Sequence, residues 1–180
     1  SERGLLDARR RAEEIVIPRA IVERNTYVIP DTLPFEAAAP LEPLSTVVHG
    51  IDESGIRLGD IVVVHGAGPI GLMFIRLATL RGATVVSVDQ SELRLKQAAS
   101  AGASATIDIA GLDAEQRLDA IRAHTPGGRG ADIGIEAVGL PAVWEQTLDT
   151  VRPGGTAVWF RGTPKGAMVQ VESSRVHYEE

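Results

Sequence analysis

Between residues 61 and 160, short runs of apolar residues alternate with longer segments in which apolar side chains recur every three or four positions. The short runs are typical of buried β-strands, and the recurring pattern is typical of amphipathic helices. Strands are predicted at about 61–65, 84–88, 104–108, 131–136 and 155–160. Helices are predicted at about 69–81, 91–101, 113–124 and 140–151. This alternation predicts an α/β fold with a doubly wound parallel sheet of about five to six strands, and a ligand at the carboxyl ends of the strands.

The first predicted strand runs directly into a glycine-rich turn. Gly66, Gly68 and Gly71 give the pattern G-x-G-x-x-G at the start of a predicted helix. The first glycine allows a tight turn, the second lets a pyrophosphate approach the backbone, and the third lets the helix pack closely on the sheet. The helix directs free N–H groups at the phosphates, and Pro69 suits its first turn. We therefore predict a Rossmann domain in which Gly66, Gly68, Pro69, Ile70 and Gly71 bind a dinucleotide.

Asp89 ends the second predicted strand, 18 residues beyond Gly71. A carboxylate at about this spacing accepts hydrogen bonds from the ribose hydroxyls of adenosine. Because a 2′-phosphate would meet a like charge there, the acid favours NAD over NADP. Arg94 is also predicted to contact the cofactor, either over the adenine or beside a phosphate. The alternative is a glycine-rich connection in an α/β protein that binds no nucleotide.

Further candidate residues follow the other predicted strands. Glu136 ends the fourth strand, so Val138 and Gly139, just beyond it, are predicted at the cofactor edge of the sheet. Glu136 itself could bond to the backbone or to a ribose. His65, at the end of the first strand, is predicted close to the pyrophosphate without an acid or base role.

Composition narrows the class of protein. A chain of 180 residues with 44% hydrophobic and 23% charged residues suits one ordinary globular domain. A net charge of −6 gives no support for a nucleic-acid surface, and no apolar stretch reaches the roughly 20 residues of a membrane span. The absence of cysteine excludes disulfides and thiolate metal sites within this chain. We expect a cytoplasmic location and, since the sequence starts at Ser1, either a piece of a longer protein or a processed domain.

The two ends of the chain differ from the alternating region. Residues 1–32 contain β-type runs at 14–18 and 25–30, with a turn or brief helix between them, and they suggest a remnant of another β structure. Residues 33–180 form the predicted dinucleotide-binding domain, which lacks its last strand. One or two helices broken near Pro40 and Pro43 precede its first strand, and residues 168–171 could form a further short strand.

Eight short motifs occur in order along the chain. They are Tyr27-Val-Ile-Pro-Asp31, Phe35-Glu-Ala-Ala38, Glu42-Pro-Leu44, Gly59-Asp60, Gly66-Ala-Gly-Pro-Ile-Gly71, Ala131-Asp-Ile-Gly-Ile-Glu136 with Gly139, Arg152-Pro-Gly-Gly155, and His177-Tyr178. With them, residues 18–180 resemble the nucleotide-binding part of the zinc-containing medium-chain alcohol dehydrogenases. The Glu42-Pro-Leu44 motif and the His177-Tyr178 pair make the resemblance closest to the branch of polyol (sorbitol-type) and threonine dehydrogenases.

The resemblance implies hydride transfer between an alcohol and the C4 atom of a nicotinamide, with a catalytic zinc that polarises the substrate oxygen. It makes residues 1–32 a remnant of the catalytic domain, and it places Phe160 and Arg161 where the family positions nicotinamide. Of the family's zinc ligands only the glutamate of the Glu-Pro-Leu motif maps here, to Glu42. We therefore expect zinc in the full-length parent and not in this chain. A small-molecule alcohol is the expected substrate, a homo-oligomer is possible, and the chain alone is expected to bind cofactor without turnover.

Two other classes stay open at this stage. A zinc-free quinone reductase shares the fold, but it typically prefers NADPH and lacks both the Glu-Pro-Leu motif and an acid at position 89. A non-enzymatic NAD-binding module is the other alternative, since no proton carrier or metal cage is complete in this sequence. No catalytic residue is assigned in this chain. Polyols, inositol-like alcohols and amino alcohols all remain possible substrates.

Overall fold

The computed structural model describes residues 16–178. Two compact units make up the chain, with the division between residues 39 and 40. The first contains α1 (Arg19–Asn25) and α2 (Phe35–Ala38). The second contains, in order, α3 (Leu41–Ser54), β1 (Ile61–His65), α4 (Pro69–Leu80), β2 (Thr84–Asp89), α5 (Glu92–Ala101), β3 (Ala105–Asp108), α6 (Ala114–Arg122), β4 (Ala131–Glu136), α7 (Pro141–Thr150), β5 (Val151–Trp159) and α8 (Ser173–Tyr178). Within residues 16–178, no helix has the length and apolar character needed to cross a membrane.

The five strands form one sheet in the order β3-β2-β1-β4-β5, and every neighbouring pair is parallel. The chain builds outward from β1 through β2 to β3, then returns to the other side of β1 with β4 and β5. The direction of winding therefore reverses between β1 and β4, which is the place where open α/β sheets bind ligands. The predicted doubly wound parallel sheet is confirmed.

Alternation along β1 buries both faces of the sheet. Val62 and Val64 pack with Phe74 of α4 in one apolar cluster, and Val63 packs with Ile121 of α6 in a second. All five side chains are fully buried. A strand that is covered on both faces has apolar side chains on both, and residues 61–64 are accordingly all Ile or Val.

Two helix boundaries show how local chemistry sets the elements. Asp113 accepts the N–H of Gln116 at 2.9 Å while the side chain of Gln116 accepts the N–H of Asp113 at 3.0 Å, a capping box that starts α6.

The predicted break near Pro40 is confirmed, because α3 begins at Leu41. The predicted break near Pro43 is wrong. Pro43 lies in the first turn of α3, where the missing N–H would have no partner within the helix.

β5 is longer and less regular than predicted. It begins at Val151 rather than near residue 155, and its register against β4 shifts between Ala131 and Ile133. The irregularity falls at Pro153-Gly154-Gly155, where proline removes a ladder donor. A Cβ on Gly155 would lie 2.8 Å from the carbonyl oxygen of Arg152, so this close backbone approach requires glycine.

The predicted strands near the two ends of the chain are wrong. Residues 16–18 and 26–30 form no strand, and α1 lies between them, in agreement with the predicted brief helix. Residues 14 and 15, which begin the first of these runs, lie outside the described part. Residues 168–171 also form no strand. Val28 is 95% exposed and Met168 is 84% exposed, so these runs have β-type composition but no partner strand to bury their side chains.

Asp132, near the start of β4, bonds to residues at the start of β1 and β5. Its carboxylate accepts the N–H of Ile61 at 2.8 Å and pairs with Arg129 at 2.9 Å and Arg152 at 2.7 Å. Burial alone would raise the pKa of Asp132, but the hydrogen bond from Ile61 and the two guanidinium groups outweigh it and lower the pKa below its ordinary value. The charged form of Asp132 therefore stabilises the fold above about pH 4, and this contribution is lost as the pH falls further.

Replacing Asp132 by alanine is expected to lower the free energy of unfolding by about 2 kcal/mol, because it removes two ion pairs and leaves the Ile61 N–H without its partner. Urea unfolding at neutral pH measures the change. Asp52→Ala is the matched control, since its ion pair with Arg81 is about half exposed on both sides and should cost less than about 1 kcal/mol. Equal losses in the two variants would contradict the role given to Asp132.

Candidate functional site

The glycine-rich turn between β1 and α4 needs glycine for two different steric reasons. Gly66 has φ +95°, and a Cβ there would lie 2.7 Å from Cγ2 of Val138. A Cβ on Gly71 would lie 1.8 Å from the carbonyl oxygen of Gly66, closer than two atoms can approach. Glycine at these two positions therefore lets the turn pack closely against Val138 and lets α4 start directly beside the Gly66 carbonyl.

Gly68 differs from both, because a Cβ built there meets no atom within 4 Å. Its φ of −72° is open to any residue, so neither the backbone conformation nor the protein packing requires glycine at this position. The open space lies at the amino terminus of α4, where Gly68 is the N-cap and no side chain caps the helix. A group that approaches this backbone would meet free N–H donors and the positive end of the helix dipole, which is the environment that binds phosphate.

Asp89 lies at the end of β2 and is 7% exposed. Its Oδ2 accepts the N–H of Ala67 at 2.8 Å, and its Oδ1 accepts the N–H of Ser91 at 2.9 Å. The carboxylate thus fixes the middle of the glycine-rich turn, and it keeps lone pairs for further donors. Nη1 of Arg94 lies 3.8 Å from Oδ2, with the arginine side chain 55% exposed. A buried carboxylate with one arginine close to it therefore lies beside the turn.

A cleft of about 270 Å³ runs along the carboxyl ends of β2, β1 and β4. Seven of the predicted contact residues line it: Gly66, Gly68, Pro69, Asp89, Arg94, Val138 and Arg161. The cleft thus crosses the point where the strand order reverses, and it brings together residues that are up to 95 positions apart in the sequence.

The other predicted contact residues lie away from the cleft surface. Ile70 packs against the core cluster of α4, and Gly71 lies beneath the Gly66 carbonyl. Gly139 adopts φ +86° in the turn after β4. The Phe160 ring is partly buried and packs edge-to-face on Phe74 at the border of the core, with centroids 4.7 Å apart.

His65, which is predicted close to the pyrophosphate, also lines the cleft. The lining residues that sequence reasoning missed are Val88, Gln90, Ile109, Arg117, Ala137, Leu140, Val143 and Gln146. Arg117 of α6 is held by a hydrogen bond from its Nε to the carbonyl oxygen of Leu112 at 2.8 Å. It joins Arg94 at the end of the cleft near Asp89, although no local motif marks it. α6 brings Arg117 to the site, and α7 brings Val143 and Gln146.

His65 lies between the cleft and the interior, and it is 2% exposed. Its Nε2 lies 3.2 Å from the hydroxyl of Thr150, which donates its own proton to the carbonyl of Thr147 at 2.8 Å. Nε2 must therefore carry a hydrogen, which it donates to Thr150. Burial lowers the pKa of His65 to about 4.

The one predicted metal ligand, Glu42, is exposed in the first turn of α3. Among residues 16–178 there is no group of three or more His, Cys, Asp or Glu side chains placed to hold a metal ion. The donors present in this part of the chain therefore do not make a zinc site by themselves, and no chemical step is assigned to zinc here.

Comparison with known proteins gives one consistent result. A family model described as zinc-binding dehydrogenase matches residues 69–180. An alcohol dehydrogenase of Cupriavidus necator is 37% identical over 147 residues, which is 81% of this chain and 38% of that protein. A sorbitol dehydrogenase of Bacillus subtilis is 35% identical over 130 residues, 72% of this chain and 36% of that protein. The chain thus spans less than two fifths of the length of these curated relatives.

Solved structures agree with the sequence comparison. A protein of Sinorhizobium meliloti, described as a zinc-binding dehydrogenase and solved with NADP bound, superposes with a TM-score of 0.77 at 32% identity. The match covers 85% of this chain and 44% of that one.

Proposed function

Because the chain belongs to the zinc-binding dehydrogenase family, we propose that it is the part of an alcohol dehydrogenase that binds the nicotinamide cofactor, and that this cofactor is NAD. The observation that carries the proposal is the open space at Gly68. A Cβ there would meet nothing in the protein, and the space lies at an uncapped helix amino terminus next to a fixed carboxylate. These are the features that a dinucleotide pyrophosphate and its adjoining ribose require.

Each part of the cleft has a role in this proposal. The N–H groups at the start of α4 hold the pyrophosphate, and Asp89 accepts hydrogen bonds from the adenosine ribose. Arg94 and Arg117 flank that ribose and the adenine. Val138, Leu140 and Arg161 form the wall at the opposite end, beyond the reversal of strand order, where the nicotinamide half would lie.

The bound cofactor would accept a hydride at C4 of its nicotinamide ring. The residues of this chain orient the cofactor, and none of them is assigned to proton transfer. The names of the relatives support an alcohol or polyol substrate over a quinone. The chain covers less than half of each relative, so we propose that further parts of the parent protein bind the substrate alcohol and the zinc. This chain alone would then bind the cofactor without turnover.

Calorimetry should show that NAD binds this chain more tightly than NADP, and Asp89→Ser should narrow or reverse that preference by about tenfold in the ratio of the two affinities. The charge that opposes a 2′-phosphate is lost, and Arg94, half exposed and 3.8 Å away, becomes free to contact it. NAD itself should also bind less tightly, because the Ala67 N–H loses its acceptor.

The control is the double variant Asp89→Ser with Arg94→Ala, in which the gain for NADP should disappear. Equal affinities for NAD and NADP in the unaltered chain would refute the role given to Asp89. If the chain binds neither NAD nor NADP, the proposed function is refuted.

A further inference from the structure

The carboxylate of Glu136 holds the turn that follows β4. The side chain is fully buried, and its Oε1 accepts the N–H of Val138 at 2.7 Å and the N–H of Gly139 at 2.5 Å. One oxygen thus fixes two successive peptide groups. The other oxygen, Oε2, is buried and has no hydrogen-bond partner in the described part of the chain. Glu136 therefore anchors this turn only through the two hydrogen bonds to Oε1, which require a side chain long enough to reach both N–H groups.

The turn itself is confined on both sides. Toward β1, a Cβ on Gly66 would lie 2.7 Å from Cγ2 of Val138. Toward β5, a Cβ on Gly139 would lie 3.0 Å from both Cγ of Arg161 and the carbonyl oxygen of Gly162. Backbone bonds join the same region, since the Ala137 N–H donates to the carbonyl of His65 at 2.9 Å. A shift of this turn would therefore displace either the glycine-rich turn or Arg161.

We propose that Glu136 is a positioning residue that sets the cleft wall for the half of the cofactor beyond the pyrophosphate. This inference rests on the proposed function. Ala137, Val138 and Arg161 line the cleft on the β4 side, whereas Asp89, Arg94 and Arg117 line it at β2, α5 and α6. The two hydrogen bonds of the anchor thus lie at the β4 end of the cleft, and neither reaches a residue at the other end. The effect of the anchor should fall on binding of the nicotinamide half and not on binding of the adenosine half.

Two conservative variants separate the reach of the side chain from its charge. Glu136→Gln keeps an oxygen at the position of Oε1 and changes only the atom that has no partner. Glu136→Asp keeps the charge but is one methylene shorter, so its oxygen cannot reach both N–H groups. The ligands are NAD and AMP, because AMP contains only the adenosine half. Calorimetry measures both affinities, and thermal unfolding without ligand measures the stability of each variant.

Wild-type chain should bind NAD more tightly than AMP. In Glu136→Asp the NAD affinity should fall about tenfold, the equivalent of one hydrogen bond, while the AMP affinity stays within about twofold. Glu136→Gln should resemble the wild type with both ligands. The inference is overturned if Glu136→Asp weakens both ligands equally, weakens neither or does not fold, if Glu136→Gln loses as much NAD affinity as Glu136→Asp, or if NAD gains nothing over AMP in the wild type. Failure of the wild type to bind NAD overturns instead the proposed function.

Discussion

Gly71→Ala is expected to lower the free energy of unfolding by about 3 kcal/mol, although alanine is the better helix former. The added Cβ would lie 1.8 Å from the carbonyl oxygen of Gly66 and 2.9 Å from its carbon, and both are backbone atoms. No side-chain rotation can relieve this overlap. The start of α4 must move away from β1, which opens the buried cluster that contains Val64 and Phe74. Urea unfolding measures the loss, and cofactor binding should be lost with it.

Gly68→Ala is the matched control, because it places the same methyl group three residues earlier in the same turn. Nothing lies within 4 Å of this Cβ and φ is −72°, so the free energy of unfolding should change by no more than about 1 kcal/mol. Affinity for NAD should nevertheless fall at least tenfold, about 1.4 kcal/mol, because the methyl group occupies the space that the pyrophosphate needs. If Gly68→Ala binds NAD as well as the wild type, the pyrophosphate does not lie where we propose.

Much of the sheet could be predicted from the sequence because its three central strands, β2, β1 and β4, are buried on both faces. β1 and β4 begin and end at the predicted residues. β1 is an apolar run that ends before Gly66, and β4 has apolar residues at the alternate positions 131, 133 and 135. The errors have a common physical cause. Residues 26–30 and 168–171 have β-type composition, but a strand forms only where a partner strand supplies hydrogen bonds, and a local pattern does not report the partner.

The site divides in the same way. Residues 66–71 and Asp89 could be found because their spacing within one strand-turn-helix-strand unit carries the signal. Arg117 and Gln146 could not, because each reaches the cleft through the packing of a helix that is distant in sequence. The hydrogen bond from Ala67 to Asp89 also has no sequence signature, yet it makes Asp89 a support of the glycine-rich turn as well as a candidate ribose ligand.

Stability should fall on the acid side of neutrality because of His65. The ring is buried and neutral, with a pKa of about 4 in the folded chain against 6.5 when it is exposed. Between these two pH values the unfolded chain binds a proton that the folded chain excludes, so protonation favours unfolding. The stability that comes from keeping His65 neutral is fully lost below about pH 4, and the free energy of unfolding falls by about 3 kcal/mol in total. This is a large fraction of the free energy of unfolding of an ordinary domain, about 5 to 15 kcal/mol.

The measurement is the free energy of unfolding of the wild type and of His65→Gln, by urea, at pH values between about 7 and 4.5. Glutamine has no titrating group, and its amide can still donate to Thr150. Titrating groups that lie away from residue 65 are common to both proteins and cancel in the difference. The wild type should lose stability relative to the variant as the pH falls, by up to about 3 kcal/mol. A difference that does not change with pH would show that His65 is not excluded from protonation in the folded state.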